Sequence, residues 1–163
     1  MTIYHCVNEE GRTMKRQWIM KNEQDTQRFG MQLASQLKAG DVVALIGDLG
    51  TGKTALTKAV ATGLGVTEMI TSPTFTIVCE YHEGRMPLYH FDVYRVYDPD
   101  ELFEIGFEEY LFGTGVCLIE WADLVEDILP KNTIRVEIQY GTELTERIYE
   151  VTLPDDRDWE LDA

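Results

Sequence analysis

Gly47-Asp48-Leu49-Gly50-Thr51-Gly52-Lys53-Thr54 fits G-x-x-x-x-G-K-[ST], the phosphate-binding loop of nucleoside triphosphatases. The run before it, Asp41-Val42-Val43-Ala44-Leu45-Ile46, reads as a buried strand, and Ala55 to Leu64 reads as a helix. That context gives the pattern a physical meaning. Gly47, Gly50 and Gly52 let the backbone curl around a phosphate with successive N–H groups pointing inward. The helix starting near Lys53 adds the positive end of its dipole. Lys53 is placed to reach the β- and γ-phosphates, and the Thr54 hydroxyl to ligate Mg²⁺.

Outward from this loop, the 163 residues suit one domain, with 44% hydrophobic and 26% charged residues. No apolar run approaches the ~20 residues of a membrane span. His5, Asn8, Glu9, Glu10 and Arg12 interrupt any signal-peptide core, so a cytoplasmic protein is expected. Fourteen basic residues against twenty-nine acidic ones give a net charge of −15. That opposes strong direct binding to tRNA or DNA and is compatible with a basic protein partner. The three cysteines, Cys6, Cys79 and Cys117, form no C-x-x-C pair and read as small apolar residues in a reducing compartment.

Residues 1–16 form a polar extension without periodicity, and the first clear strand is Gln17–Met20. Asn22 reads as a helix N-cap, with Phe29, Leu33 and Leu37 as the apolar stripe and Gly40 as the stop. Ile77–Tyr81 and Leu88–Asp92 read as a hairpin around His82-Glu83-Gly84-Arg85. A short helix opens at Pro99 and runs to about Glu104. Gly115–Ile119 is a buried strand ending at Glu120, Leu124–Leu129 a short helix, and Thr133–Tyr140 and Arg147–Leu153 a closing pair of strands. The tail, residues 154–163, is acidic and is expected to be mobile. Interleaved helices and strands over residues 17–153 indicate a single three-layer α/β sandwich of the phosphate-loop type, with a mixed parallel and antiparallel central sheet.

A magnesium–nucleotide site also needs an acid behind the metal and a group that positions water. Glu120, at a strand end, stands where a Walker-B acid stands. Asp92 ends another strand in His90-Phe91-Asp92-Val93-Tyr94-Arg95. Alternation puts His90 and Asp92 on one face, where they could orient water, bridge metal-bound water or hold a loop, or form a surface His–Asp pair. Thr71-Ser72-Pro73-Thr74 offers hydroxyls that could follow a γ-phosphate as a switch loop does, or simply a Ser-Pro turn.

G-D-L-G-T-G-K-T, then T-S-P-T-F-T, then H-F-D-V-Y-R, then I-E-W, in this order, resembles the TsaE (YjeE) family over about residues 17–153. The resemblance implies the ATPase component of bacterial tRNA threonylcarbamoyladenosine biosynthesis. It implies weak activity alone and work with TsaB-type and TsaD-type partners that modify adenosine 37. It implies ATP and Mg²⁺ as cofactors, Gly50 to Thr54 on phosphate, and Thr54 and Glu120 on Mg²⁺. Asp92 then lies near the γ-phosphate, and Glu23 and Thr26 near the base. Asp92, Lys53 and His90 are the expected catalytic groups. A monomer, or weak self-association, is expected.

Two other readings compete. A small-molecule or nucleoside kinase needs lid arginines to clamp the transferring phosphate. Here Arg85, Arg95, Arg135, Arg147 and Arg157 are scattered, with no clustered lid. A nucleotide-gated binding protein with negligible turnover would use the same loop. No N/T-K-x-D guanine-reading element occurs, which favours ATP over GTP.

Overall fold

The structure, a computed structural model, describes residues 6–7, 14–154 and 157. In chain order the elements begin with β1 (Cys6–Val7), β2 (Met14–Met20), α1 (Glu23–Gln36), β3 (Val42–Ile46) and α2 (Lys53–Leu64). They continue with β4 (Val78–Tyr81), β5 (Leu88–Asp92), α3 (Asp100–Glu104), α4 (Phe107–Leu111) and β6 (Val116–Glu120). A 3₁₀ segment (Ala122–Ile128), β7 (Ile134–Tyr140) and β8 (Arg147–Leu153) complete the chain.

The strands form one sheet in the order β1-β2-β8-β7-β3-β6-β5-β4. The centre is parallel: β3 pairs with both β6 and β7, and β5 with β6. The flanks β1-β2, β2-β8, β7-β8 and β4-β5 are antiparallel. This is the expected mixed sheet. The central strands are buried on both faces, and alternation divides their side chains between two cores. Val43, Leu45, Val116 and Leu118 meet Phe29, Leu33, Leu56 and Val60 of α1 and α2 on one face. Val42, Ala44, Cys117 and Ile119 meet Leu102, Phe107 and Leu111 of α3 and α4 on the other.

α1 starts as its sequence indicates. The Asn22 side chain accepts the Asp25 N–H at 2.9 Å, and Phe29, Leu33 and Leu37 are buried. Other boundaries depart from the pattern. The first main strand begins at Met14, not Gln17, and Cys6–Val7 adds a short pair to it, so residues 1–16 do not all lie outside the fold. Lys15 and Arg16 hid that strand; its partner β8 supplies a backbone ladder that a side-chain pattern cannot show. α4 was not legible, because Gly106 in the left-handed region separates it from α3 and leaves only five residues. Ile77 lies outside the strand expected to begin with it and has φ 70°. Within the acidic tail, Arg157 donates to the Gln36 carbonyl at 3.2 Å and pairs with Asp41, so at that residue the tail is tied down. Cys117 is buried as expected and Cys79 half-buried; the Cys6 side chain lies outside the described residues.

Candidate nucleotide site

The parallel centre brings three strand ends level. Leu45 of β3 pairs with Glu120 of β6, and Asp92 of β5 pairs with the same Glu120. The loop after β3, the acid ending β6 and the acid ending β5 therefore meet at the carboxyl edge of the sheet, where open α/β sheets bind ligands. A cavity of about 400 Å³ opens there. The loop lines it with Gly50, Gly52, Lys53 and Thr54, and the strand ends line it with Asp92 and Glu120.

The loop takes its shape from left-handed glycines. Gly50 and Gly52 have φ 81° and 101°, a region costly for residues with a Cβ. Gly47 and Thr51 shape the loop rather than line the cavity. A Cβ on Gly47 would meet the Ile138 carbonyl at 2.7 Å, and Thr51, buried, donates its hydroxyl to the Asp48 carbonyl at 2.8 Å. Lys53 is buried under Trp121, with Nζ 4.0 Å from the ring centroid, and donates to the carbonyls of Gly47 at 2.6 Å and Asp48 at 2.9 Å. Burial pushes its ammonium below its ordinary pKa, against the opposing pull of Glu120, Asp92, Asp123 and Asp48.

Thr54 donates its hydroxyl to Glu120 Oε1 at 2.9 Å. The other oxygen, Oε2, takes His90 Nε2. His90 is fully buried and does not line the cavity, and its partner is Glu120 rather than Asp92. This corrects the surface His–Asp pair: among the described residues the hydrogen-bond partner of His90 is Glu120, and through that carboxylate it meets the site. Asp92 instead holds a loop. Its Oδ2 accepts from Ser72 Oγ at 3.0 Å and Thr74 Oγ1 at 3.4 Å, and its Oδ1 accepts the Tyr94 N–H at 3.0 Å. Asp92 N–H also donates to the Ile77 carbonyl at 2.9 Å.

Among the described residues, the two non-glycine residues with positive φ, Ile77 at 70° and Trp121 at 62°, flank this site. Such backbone costs on the order of 1–3 kcal/mol each and persists where the surroundings enforce it. The Ile77 N–H is satisfied by the Pro73 carbonyl at 2.7 Å, and the Trp121 ring packs against Tyr94 at 4.7 Å. Trp121 and Tyr94 were missed as site residues. Their neighbours Glu120 and Asp92 marked the place, but a left-handed turn that packs an indole against a lysine leaves no trace in residue spacing. Glu23 and Thr26 do not line the cavity; Thr26 instead shares a hydrogen bond with Tyr149 at 3.3 Å.

The loop, Thr54 and Glu120 together fit a magnesium-bound nucleotide phosphate: a glycine cradle, one lysine, and a hydroxyl beside a carboxylate. A sequence profile described as "Threonylcarbamoyl adenosine biosynthesis protein TsaE" matches residues 20–148. The chain belongs to the TsaE family. The TsaE-named relative from Bacillus subtilis is 48% identical over 122 residues, 75% of this chain and 76% of that protein. The one from Treponema pallidum is 46% identical over 121 residues, covering 74% of this chain and 89% of its own length. The crystal structure of YdiB from Bacillus subtilis superposes with a TM-score of 0.75 at 39% identity, covering 87% of each chain. The TsaE profile spans the phosphate loop, the Ser72–Thr74 loop, Asp92 and Glu120, so every residue of the cavity wall lies within the matched region.

Proposed function

We propose that this TsaE-family chain is a Mg²⁺-dependent ATPase, the energy-consuming component of the machinery that makes N6-threonylcarbamoyladenosine at position 37 of tRNA. It works in the cytoplasm with TsaB-type and TsaD-type proteins and supports turnover of their complex rather than the transfer itself. The observation that carries the nucleotide reading is the Thr54–Glu120 hydrogen bond at the mouth of a glycine-shaped loop. Family membership and the names of the relatives support the pathway.

The amides of Gly50 to Thr54 and the Lys53 ammonium hold the β- and γ-phosphates. Thr54 and Glu120 hold Mg²⁺, which when bound neutralises charge developing on the phosphate oxygens. His90 fixes the Glu120 carboxylate from behind by occupying Oε2, which leaves Oε1 directed to Thr54. Asp92 orients the attacking water. Its Oδ2 is already satisfied by Ser72 and Thr74, so engaging water costs a loop contact, and slow turnover of the isolated chain is the expected consequence.

The kinase alternative finds no support in the cavity wall, where among the described residues Arg95 is the sole arginine and its guanidinium sits over Phe75, 4.4 Å from the ring centroid. Phosphate release measured with ATP and Mg²⁺, with and without the two partner proteins, tests the proposal. Release that rises with the partners supports it. No release under either condition leaves the nucleotide-gated binding protein as the reading to adopt.

A further inference from the structure

Two side chains from the closing hairpin, neither in the phosphate-loop pattern, grip the outside of that loop. Tyr140, the last residue of β7, donates its hydroxyl to the Leu49 carbonyl at 2.6 Å. Arg147, the first residue of β8, donates Nε to the Thr51 carbonyl at 3.2 Å. The Arg147 guanidinium lies over the Tyr140 ring, 4.7 Å from its centroid, so the two act as one unit. β-Ladder pairing puts them directly opposite each other.

A trans peptide is planar, and its C=O and the next N–H point in opposite directions. Holding the Leu49 carbonyl outward therefore aims the Gly50 N–H inward. Holding the Thr51 carbonyl outward aims the Gly52 N–H inward. Gly50 and Gly52 are also the left-handed positions of the loop, where the backbone has the most conformations to lose. The brace sits on the peptides that need it. A second Arg147 donor nitrogen, Nη1, is spent on the carbonyls of Leu144 at 3.0 Å and Glu146 at 2.9 Å, which ties the hairpin turn to the same unit.

We propose that Tyr140 and Arg147 are positioning residues that pre-orient the Gly50 and Gly52 amides for phosphate, so that nucleotide affinity depends on a hairpin outside the recognised motif. This rests on the nucleotide reading above. Preorganised donors bind without first giving up other conformations; a loop left free to turn its peptides must pay that ordering cost on binding.

The test is calorimetric titration of the free full-length protein with ADP, beside the amide resonances of Gly50 and Gly52 before ADP is added. Tyr140→Phe keeps the ring under Arg147 and removes only the hydroxyl. It should shift the Gly50 amide and weaken ADP binding by about threefold to tenfold, the net value of one hydrogen bond. Arg147→Met should shift the Gly52 amide and weaken ADP by about tenfold or more, since it also frees the Tyr140 ring. Both variants should melt cooperatively; if Arg147→Met does not fold, Tyr140→Phe carries the test alone. ADP affinity at the parent level in Tyr140→Phe, with Gly50 unmoved, overturns the inference. Lys53→Ala separates the two failures. If it loses ADP while Tyr140→Phe and Arg147→Met bind as the parent does, the brace is wrong and the phosphate loop stands. If it too binds as the parent does, the phosphate-loop reading fails with it.

Discussion

Thr54 and Glu120 lie 66 residues apart in sequence and are joined by a 2.9 Å hydrogen bond across the carboxyl edge of the sheet. One lies in the first turn of the helix after the phosphate loop and the other closes the neighbouring strand. A hydroxyl and a carboxylate so placed are the two protein groups a nucleotide-bound Mg²⁺ needs. Glu120→Ala should therefore lower Mg²⁺-dependent hydrolysis by on the order of a hundredfold, about 2.7 kcal/mol of transition-state stabilisation. Nucleotide affinity measured in EDTA should hardly change, because loop amides contact phosphate without the metal. Equal losses in both measurements would remove Glu120 from the metal site.

Lys53 is the loop's cation, and in the free protein it is satisfied by the Gly47 and Asp48 carbonyls beneath Trp121. Lys53→Ala should weaken a non-hydrolysable ATP analogue by about tenfold to a hundredfold, the range for hydrogen bonds made by a charged donor. Calorimetric titration reads it directly, and unchanged affinity would show that this loop holds no phosphate.

Cys117 gives a prediction in pH. Desolvation raises its thiol from an ordinary 9.0 to about 12. The folded protein thus holds the proton more tightly than the unfolded chain does. The associated stability is complete below about pH 9 and is lost as pH rises toward 12. Burial raises Tyr81, Tyr89, Tyr110 and Tyr149 as well, so they act in the same direction. Urea unfolding from pH 8 to 11 should show falling stability, with a shallower fall in Cys117→Ala. At neutral pH, iodoacetamide should leave Cys117 unmodified until the protein unfolds, since the thiolate is the nucleophile. Rapid alkylation of Cys117 in the native state would contradict its burial.

What the sequence made legible follows from how local each signal is. The phosphate loop, its strand and its helix are contiguous, and Asn22 caps α1 within a few residues of chain. Glu120 and Asp92 could be found because buried parallel strands end in charge at the sheet's carboxyl edge. The partner of His90 could not, because strand alternation shows which face it shares with Asp92 but not that Glu120 of the next strand reaches it first. Trp121 and Ile77 depend on left-handed backbone in residues that disfavour it. Tyr140 and Arg147 reach the loop only because β7 lies beside β3, a neighbour relationship that no spacing encodes.

The isolated protein should bind tRNA weakly at physiological salt, because its net charge of −15 opposes the phosphate backbone. Filter binding in roughly 150 mM salt should give a dissociation constant weaker than about a micromolar. Tighter binding would mean a local basic surface outweighs the overall charge.

Asp92→Ala should separate hydrolysis from binding. Asp92 is almost fully buried, at the end of β5, and its carboxylate bonds only to Ser72, Thr74 and the Tyr94 amide among the described residues. It makes no direct bond to Lys53 or to the phosphate loop. A carboxylate so placed can orient water but adds nothing to ground-state phosphate affinity, since like charges repel. Its removal should cut single-turnover hydrolysis by on the order of ten- to a thousandfold and leave ATP affinity unchanged or tighter. It also releases the Ser72 and Thr74 hydroxyls, so Ser72→Ala with Thr74→Ala is the necessary companion. That double variant frees Oδ2 while keeping the carboxylate, and should retain hydrolysis at or above the parent rate. Normal hydrolysis with lost binding in Asp92→Ala would make Asp92 a brace for the Ser72–Thr74 loop. If the double variant instead falls as far as Asp92→Ala, the loop contact itself is required, and the water-orienting role has to be given up.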